Sequence, residues 1–203
     1  MRGARRAALC LLLAAAAPLR AAGAPDEVLA RLARNAAGIE TVQGAVRQEK
    51  RLEMFRDTVV SRGRFAYARP DRLRWELTDP VVSGFVITGP SGRRWHGLTG
   101  KTEPFTLESD PMMRVVAGQI LASVRADFSP LQKEYRISVA SESPVTLVLE
   151  PLVPNPFVER VTVTFSKRAD HVESVAVREK GGDQTTIRFT EVELNRPLPD
   201  GTF

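Results

Sequence analysis

Residues Ser61 to Pro80 read SRGRFAYARPDRLRWELTDP, and two alternations inside this stretch decide the fold. Before the Arg69-Pro70-Asp71 corner, Ser61, Gly63, Phe65 and Tyr67 share one face, and Arg62, Arg64 and Ala66 share the other. After it, Leu73, Trp75 and Leu77 alternate with Arg72, Arg74 and Glu76. A period of two over this length is the pattern of strands with one apolar and one wet face. Proline fixes its own φ and pushes the preceding residue toward extended backbone, so Arg69-Pro70 is a natural corner between them.

Outward from the corner, alternation continues almost everywhere. Thr41 to Met54 runs with period two, with Val42, Gly44, Val46, Gln48 and Lys50 on one side. Val81 to Thr88 carries Phe85 and Ile87, Gly89-Pro90-Ser91-Gly92 is a turn by composition, and Arg93 to Leu98 returns with Trp95. Gly97 to Gly100 reads as another turn and Thr102 to Leu107 as a short strand. From Glu134 onward Tyr135/Ile137/Val139, Val145/Leu147/Leu149, Val161/Val163/Phe165, Val175/Val177 and Ile187/Phe189 repeat the pattern, with Gly181-Gly182-Asp183 as a hairpin turn.

Two segments break it. Asp26 and Glu27 favour a helix start, Val28, Leu29 and Leu32 make an apolar stripe, and Gly38 ends it. Asp110 and Pro111 announce a second helix as N-cap and first helical residue, and Met112, Met113, Val116, Ile120, Leu121 and Val124 follow at helical spacing. A sheet of about ten strands must curl. The expected fold is therefore mainly β (α+β): an unclosed antiparallel half-barrel, covered on its concave face by helices, with an apolar cavity between.

The first 24 residues read as a cleaved signal peptide: a basic start, an apolar run from Ala7 to Leu19, then small residues. That leaves residues 25–203 as a single domain. Cys10, the only cysteine, falls inside the leader, so the mature chain has neither a disulfide nor a lipid-attachment cysteine. The formal net charge of +5 includes Arg2, Arg5, Arg6 and Arg20 of the leader, which leaves the remainder near neutrality. Nucleic acid is therefore not an expected partner. The interleaved arginines and aromatics around the corner do not change this, because they fall on opposite faces and a stacking platform needs both on one.

Chemistry is sparse. His96 and His171 are isolated and outside any metal-ligand spacing. No nucleophile elbow, phosphate loop or dinucleotide fingerprint occurs. Glu76 and Asp79 are the nearest thing to a carboxylate pair, but arginines flank them and ion pairing is the plainer account. Neither catalysis nor a cofactor nor a metal is expected. Phe65, Tyr67, Leu73, Trp75, Phe85, Ile87 and Trp95 are expected to line the concave face, and Met112, Met113, Val116 and Ile120 to cover it with an adaptable apolar surface.

The stretch SRGRFAYARPDRLRWE, Pro80, the Gly89-to-Gly92 turn and Trp95 together resemble the periplasmic outer-membrane lipoprotein carrier family, the LolA-like proteins. Gln48-Glu49-Lys50, Leu147-Val148-Leu149-Glu150-Pro151, Gly182 to Phe189 with Val192 and Asn195, and Leu198 to Phe203 agree in order. The resemblance implies a soluble, monomeric periplasmic carrier that shields acyl chains of lipoproteins or related lipids between inner and outer membranes. It further implies an inner-membrane transporter that loads it and an outer-membrane acceptor that unloads it. Arg69 looks like the family's corner arginine, which hydrogen-bonds the lid and sets its opening. The pattern is nearer a divergent branch than the best-known carrier, and the family usually continues past the position of Phe203, which bears on the expected cargo and handoff. A lipid-sensing adaptor of the same fold, or an enzyme acting on an envelope lipid or glycan, would be the alternatives.

Overall fold

The computed structural model describes residues 25–54, 57–154 and 158–203. The expected leader and its Cys10 lie outside them. Helix α1 (Pro25–Ala36) is followed by β1 (Thr41–Arg51), β2 (Thr58–Ala68), β3 (Arg72–Asp79), β4 (Ser83–Thr88), β5 (Ser91–His96) and β6 (Lys101–Thr106). Helix α2 (Pro111–Arg125) and a 3-10 turn (Leu131–Lys133) come next. Then follow β7 (Tyr135–Glu142), β8 (Val145–Pro151), β9 (Val158–Phe165), β10 (Val172–Glu179) and β11 (Gln184–Leu194).

The eleven strands among the described residues form one antiparallel sheet in the order β6-β5-β4-β3-β2-β1-β11-β10-β9-β8-β7. Each neighbour in this order is also a neighbour in sequence, except β1 with β11. The sheet is thus two meanders, β1–β6 and β7–β11, joined along their outermost strands, and it does not close on itself.

Register fixes the faces. Phe65 pairs with Trp75 and Tyr67 with Leu73, then Trp75 with Phe85 and Leu73 with Ile87. On the other meander Leu149 pairs with Val161, Val161 with Val177, and Val175 with Ile187. The alternations of the sequence therefore converge on one concave face, and α1 and α2 pack over it. The core gathers Val28 and Leu32 of α1, Ala122 of α2, Phe65, Tyr67 and Trp75 of the first meander, and Leu147, Leu149, Val161, Val163 and Phe165 of the second. Leu73, Ile87, Phe105, Met113 and Ala117 form a smaller cluster under the start of α2.

The convex face is less wet than the alternation suggests. Ala66, Ala68 and Val86 are buried there. The segment after β11 turns back across this face. Thr41 Oγ1 donates to the Arg196 carbonyl at 2.8 Å, Arg74 Nη1 to the Thr202 carbonyl at 3.2 Å, and the Arg72 guanidinium stands 5.1 Å from the Phe203 ring. Arg72 and Arg74 are the cross-strand partners of Ala68 and Ala66, so the strap accounts for the buried alanines.

Candidate binding cavity

The second helix holds its place through its ends. Asp110 accepts a hydrogen bond from the Met113 backbone N–H at 3.0 Å, the N-cap that the sequence announces. The same carboxylate meets Arg94 Nη1 of β5 at 2.7 Å. The Met113 amide bond and the Arg94 charge together hold the Asp110 carboxyl below its ordinary value, against the opposing effect of burial. At the far end Arg125, the last helical residue, donates from Nε to Tyr67 Oη at 3.3 Å and from Nη2 to the Pro70 carbonyl.

Arg69 works on the other helix. Its Nε donates to the Ile39 carbonyl just past α1 at 3.0 Å and its Nη2 to the Ala36 carbonyl at 3.2 Å, which also accepts from the Ile39 N–H, so the arginine ties down the C-terminal end of α1. Glu40 lies 3.5 Å from the same guanidinium. The Arg69-Pro70 corner thus binds both covering helices: α1 through the arginine side chain and α2 through the proline carbonyl. Arg125 carries half of this and has no signal in the sequence pattern, since a basic residue in a last helical turn is common.

Between α2 and the sheet lies a pocket of about 160 Å³. Val116, Ile120 and Val124 form its roof, and Phe65, Trp75 and Phe189 part of its floor. Phe189 is the hub of the aromatic layer. Its ring meets Phe65 edge-on at 5.1 Å and Trp75 at 6.0 Å. Val42, Leu131 and a run of Leu, Val and Ile from the second meander, Leu149 to Val192, supply the rest of the apolar wall. Among the described residues only Gln119, Ser123, Asp170 and His171 bring polar side chains to the lining.

Of the expected lining, Phe65, Trp75, Val116 and Ile120 face this cavity. Tyr67, Leu73, Ile87 and Met113 are buried in packed core beside it, and Phe85 is half-buried against both clusters. Two expectations are corrected. Trp95 stands on the convex face. The tight turn at Gly89, where φ is +61°, pairs Thr88 with Ser91 and Gly84 with Trp95, which turns Gly92, Arg94 and His96 inward instead. Trp95 lies over Gly84, where a Cβ would come within 2.7 Å of the indole, and under the Arg74 guanidinium at 5.2 Å. Met112 is 54% exposed and points away from the sheet.

The wall from the second meander is absent from the expected lining, although its alternation is plain in the sequence. Aromatic residues mark the first meander. The second presents Val, Leu and Ile, which look the same in a filled core and in a cavity wall.

Glu76 accepts from Arg64 Nε at 3.0 Å and from Arg74 Nη2 at 3.1 Å, and Asp79 pairs with Arg62 at 3.2 Å. These are ion pairs of the convex face, away from the cavity. Burial pushes the Glu76 carboxyl up, but the Arg64 and Arg74 hydrogen bonds and charges outweigh it and hold the group below its ordinary value. Among the described residues no three His, Cys, Asp or Glu side chains converge as a metal-binding group, and no helix is long and apolar enough to cross a membrane.

Similarity to known proteins agrees with this architecture. An outer-membrane lipoprotein carrier protein of Dechloromonas aromatica (strain RCB) is 26% identical over 153 residues, which cover 70% of this chain and 66% of that relative, just under two thirds of its length. An uncharacterized conserved protein from Thermus thermophilus superposes with a TM-score of 0.51 at 12% identity, over 85% of this chain and 88% of that one. A LolA superfamily protein from Nitrosomonas europaea gives a TM-score of 0.47 at 13% identity, over 88% and 96%. The family model for the outer membrane lipoprotein carrier protein LolA matches residues 37–203. From the end of α1 to the strap that follows β11, residues 37–203, the chain belongs to the LolA family of outer membrane lipoprotein carriers.

Proposed function

We propose that this protein is a non-enzymatic carrier that holds acyl chains of lipoproteins or related lipids under α2 while they cross the periplasm. The apolar cavity between a helix fastened at its two ends and an aromatic floor is the observation that carries this reading. Each methylene moved from water into such a site gains about 0.8 kcal/mol, so a chain of roughly ten methylenes gains about 8 kcal/mol.

Size decides how loading must occur. Pockets for drug-sized ligands run to about 300–1,000 Å³, and a dry cavity of about 150 Å³ admits only something like benzene. At about 160 Å³ the closed form is too small for a long acyl chain. Cargo entry then requires α2 to move away from the sheet, and release reverses it. A transporter at the inner membrane and an acceptor at the outer membrane would act on this opening. Residues 1–24 would direct the chain to the periplasm and be removed, and residues 25–203 would be the carrier domain.

Native mass spectrometry of protein purified from periplasm without detergent tests the reading. A bound species of lipid mass, lost on mild activation, is the expected result. An apo mass that also fails to take up an added neutral fluorophore such as N-phenyl-1-naphthylamine would overturn it.

A further inference from the structure

On the reading that the cavity takes an acyl chain, we propose that the Asp170–His171 pair at its mouth binds the head of that chain. The pair selects a neutral head with an O–H or N–H donor over a carboxylate.

The pair sits in the turn between β9 and β10. That turn is closed by the Ser166 N–H to the His171 carbonyl at 2.9 Å and the Ala169 N–H to the Ser166 carbonyl at 2.8 Å, with Ala169 in the left-handed region at φ +56°. Asn35 of α1 donates to the Ala169 carbonyl at 3.2 Å, which ties the turn to the helical layer. The turn is therefore held from both sides and its side chains are pre-positioned.

Asp170 is fully engaged. One carboxylate oxygen accepts from Ser166 Oγ at 2.7 Å and meets His171 Nδ1 at 2.6 Å, and the other lies 2.7 Å from Arg168 Nε. Burial raises the Asp170 carboxyl, but these hydrogen bonds and the neighbouring positive charge more than offset it and favour the ionised form. An ionised Asp170 can only accept, so the imidazole proton resides on Nδ1. In that tautomer Nε2 carries the ring's free lone pair and is an acceptor. Nε2 has no hydrogen-bond partner among the described residues, nor is it a buried atom without one.

Its position suits a head group. His171 lines the apolar cavity and also the shallow groove outside it, where Lys167, Glu173 and Glu191 bring charge. Phe189 and Val192 belong to both walls as well. A chain inserted between α2 and Phe189 would leave its head at this boundary. The other polar lining groups are deeper or occupied: Gln119 donates its amide to Tyr135 Oη at 3.0 Å. A hydroxyl or amide N–H meets a free acceptor at Nε2. A carboxylate meets a lone pair, with the negative charge of Asp170 behind the ring.

The test is displacement of N-phenyl-1-naphthylamine from the full-length mature protein at mildly alkaline pH by laurate and by its N-hydroxyethyl amide. The amide is expected to bind about tenfold more tightly than laurate, the size of one well-formed hydrogen bond to the site. His171→Phe keeps the ring and is expected to erase most of that ratio while the fluorophore binds as before. Asp170→Asn, which removes the charge and the constraint on the tautomer, is expected to narrow it too. Equal displacement by the two ligands in the unaltered protein, or a ratio indifferent to His171→Phe in a variant that melts normally, overturns the head-group site and leaves the carrier reading standing. A protein that takes up no fluorophore at all overturns both.

Discussion

Asp110 has two tasks that a single substitution separates from packing. It caps α2 and anchors the helix to Arg94 of the sheet. Asp110→Ala removes both and is expected to cost about 1 kcal/mol, a drop in Tm of roughly 2–4 °C for a chain of this size, read by thermal melting. Asp110→Asn keeps a capping oxygen and loses most of the attraction to Arg94, so it should fall between the two. Leu73 and Trp75 also part company at this scale. The sequence places both on the concave face, and both are there, but Leu73 is fully buried beside Ile87 and Met113 whereas Trp75 reaches the cavity. Leu73→Ala should therefore destabilise by about 2–5 kcal/mol with fluorophore binding intact in the folded fraction. Trp75→Ala should weaken fluorophore binding by a larger factor than its loss of stability explains. Equal effects on both measurements at Trp75 would assign it to ordinary core. The lowered Glu76 carboxyl carries a pH consequence. Its folded-state pKa lies below the ordinary 4.5, so its contribution is complete above the unfolded value and is lost as pH falls through the folded one. Acid titration of stability should be shallower in Glu76→Gln, and an unchanged titration would show that the Arg64 and Arg74 pairs add nothing in solution.

The helices show where local signals suffice and where they do not. Asp110-Pro111 and the apolar stripe of α1 place both elements from sequence, because capping and amphipathicity are local chemistry. What a helix touches is not local. Met112 and Met113 are indistinguishable as sequence, yet one is exposed and the other sits in core, since about 100° of rotation separates successive residues. Trp95 shows the same limit in a strand: register across the Gly89-Pro90 turn pairs it with Gly84 and puts Arg94 opposite Phe85, and a slip of one residue would exchange the two faces. The fastening of α2 follows the same division. Its N-terminal anchor is legible in Asp110, and its C-terminal anchor, Arg125 on Tyr67 and Pro70, depends on a fold that brings residues 67 and 125 together. Arg125→Ala should release that end of the lid and accelerate fluorophore uptake several-fold in stopped-flow mixing, with a much smaller effect on Tm. An unchanged uptake rate would mean that α2 opens from its Asp110 end.

At the scale of the molecule, the half-barrel follows from repetition: eleven alternating strands, each too one-sided to stand alone, and two short helices to cover what they share. The concave architecture was legible because burial on one face is written into most of the strands, β5 being the exception, since it turns Gly92, Arg94 and His96 inward. The extent of the cavity was not, because an open space leaves no residue to mark it. Its wall of Val, Leu and Ile is the ordinary vocabulary of a core, and only the mismatch between the sheet's width and two helices leaves room.

The join of β1 to β11 has a consequence in time as well as in space. Within each meander every strand finds its partner a few residues along the chain, so each assembles through short loops. The pairing that unites them brings Arg51 to Gln184 and Val42 to Leu194, contacts that close most of the chain into one loop and are slow to form for that reason. Until β11 arrives, β1 is an unprotected sheet edge, open to any extended segment that reaches it first. Pairing of the two meanders along their shared seam is the expected slow step of folding. The competing fate is the same seam satisfied by a second chain, so misassembly should grow with protein concentration while correct folding does not.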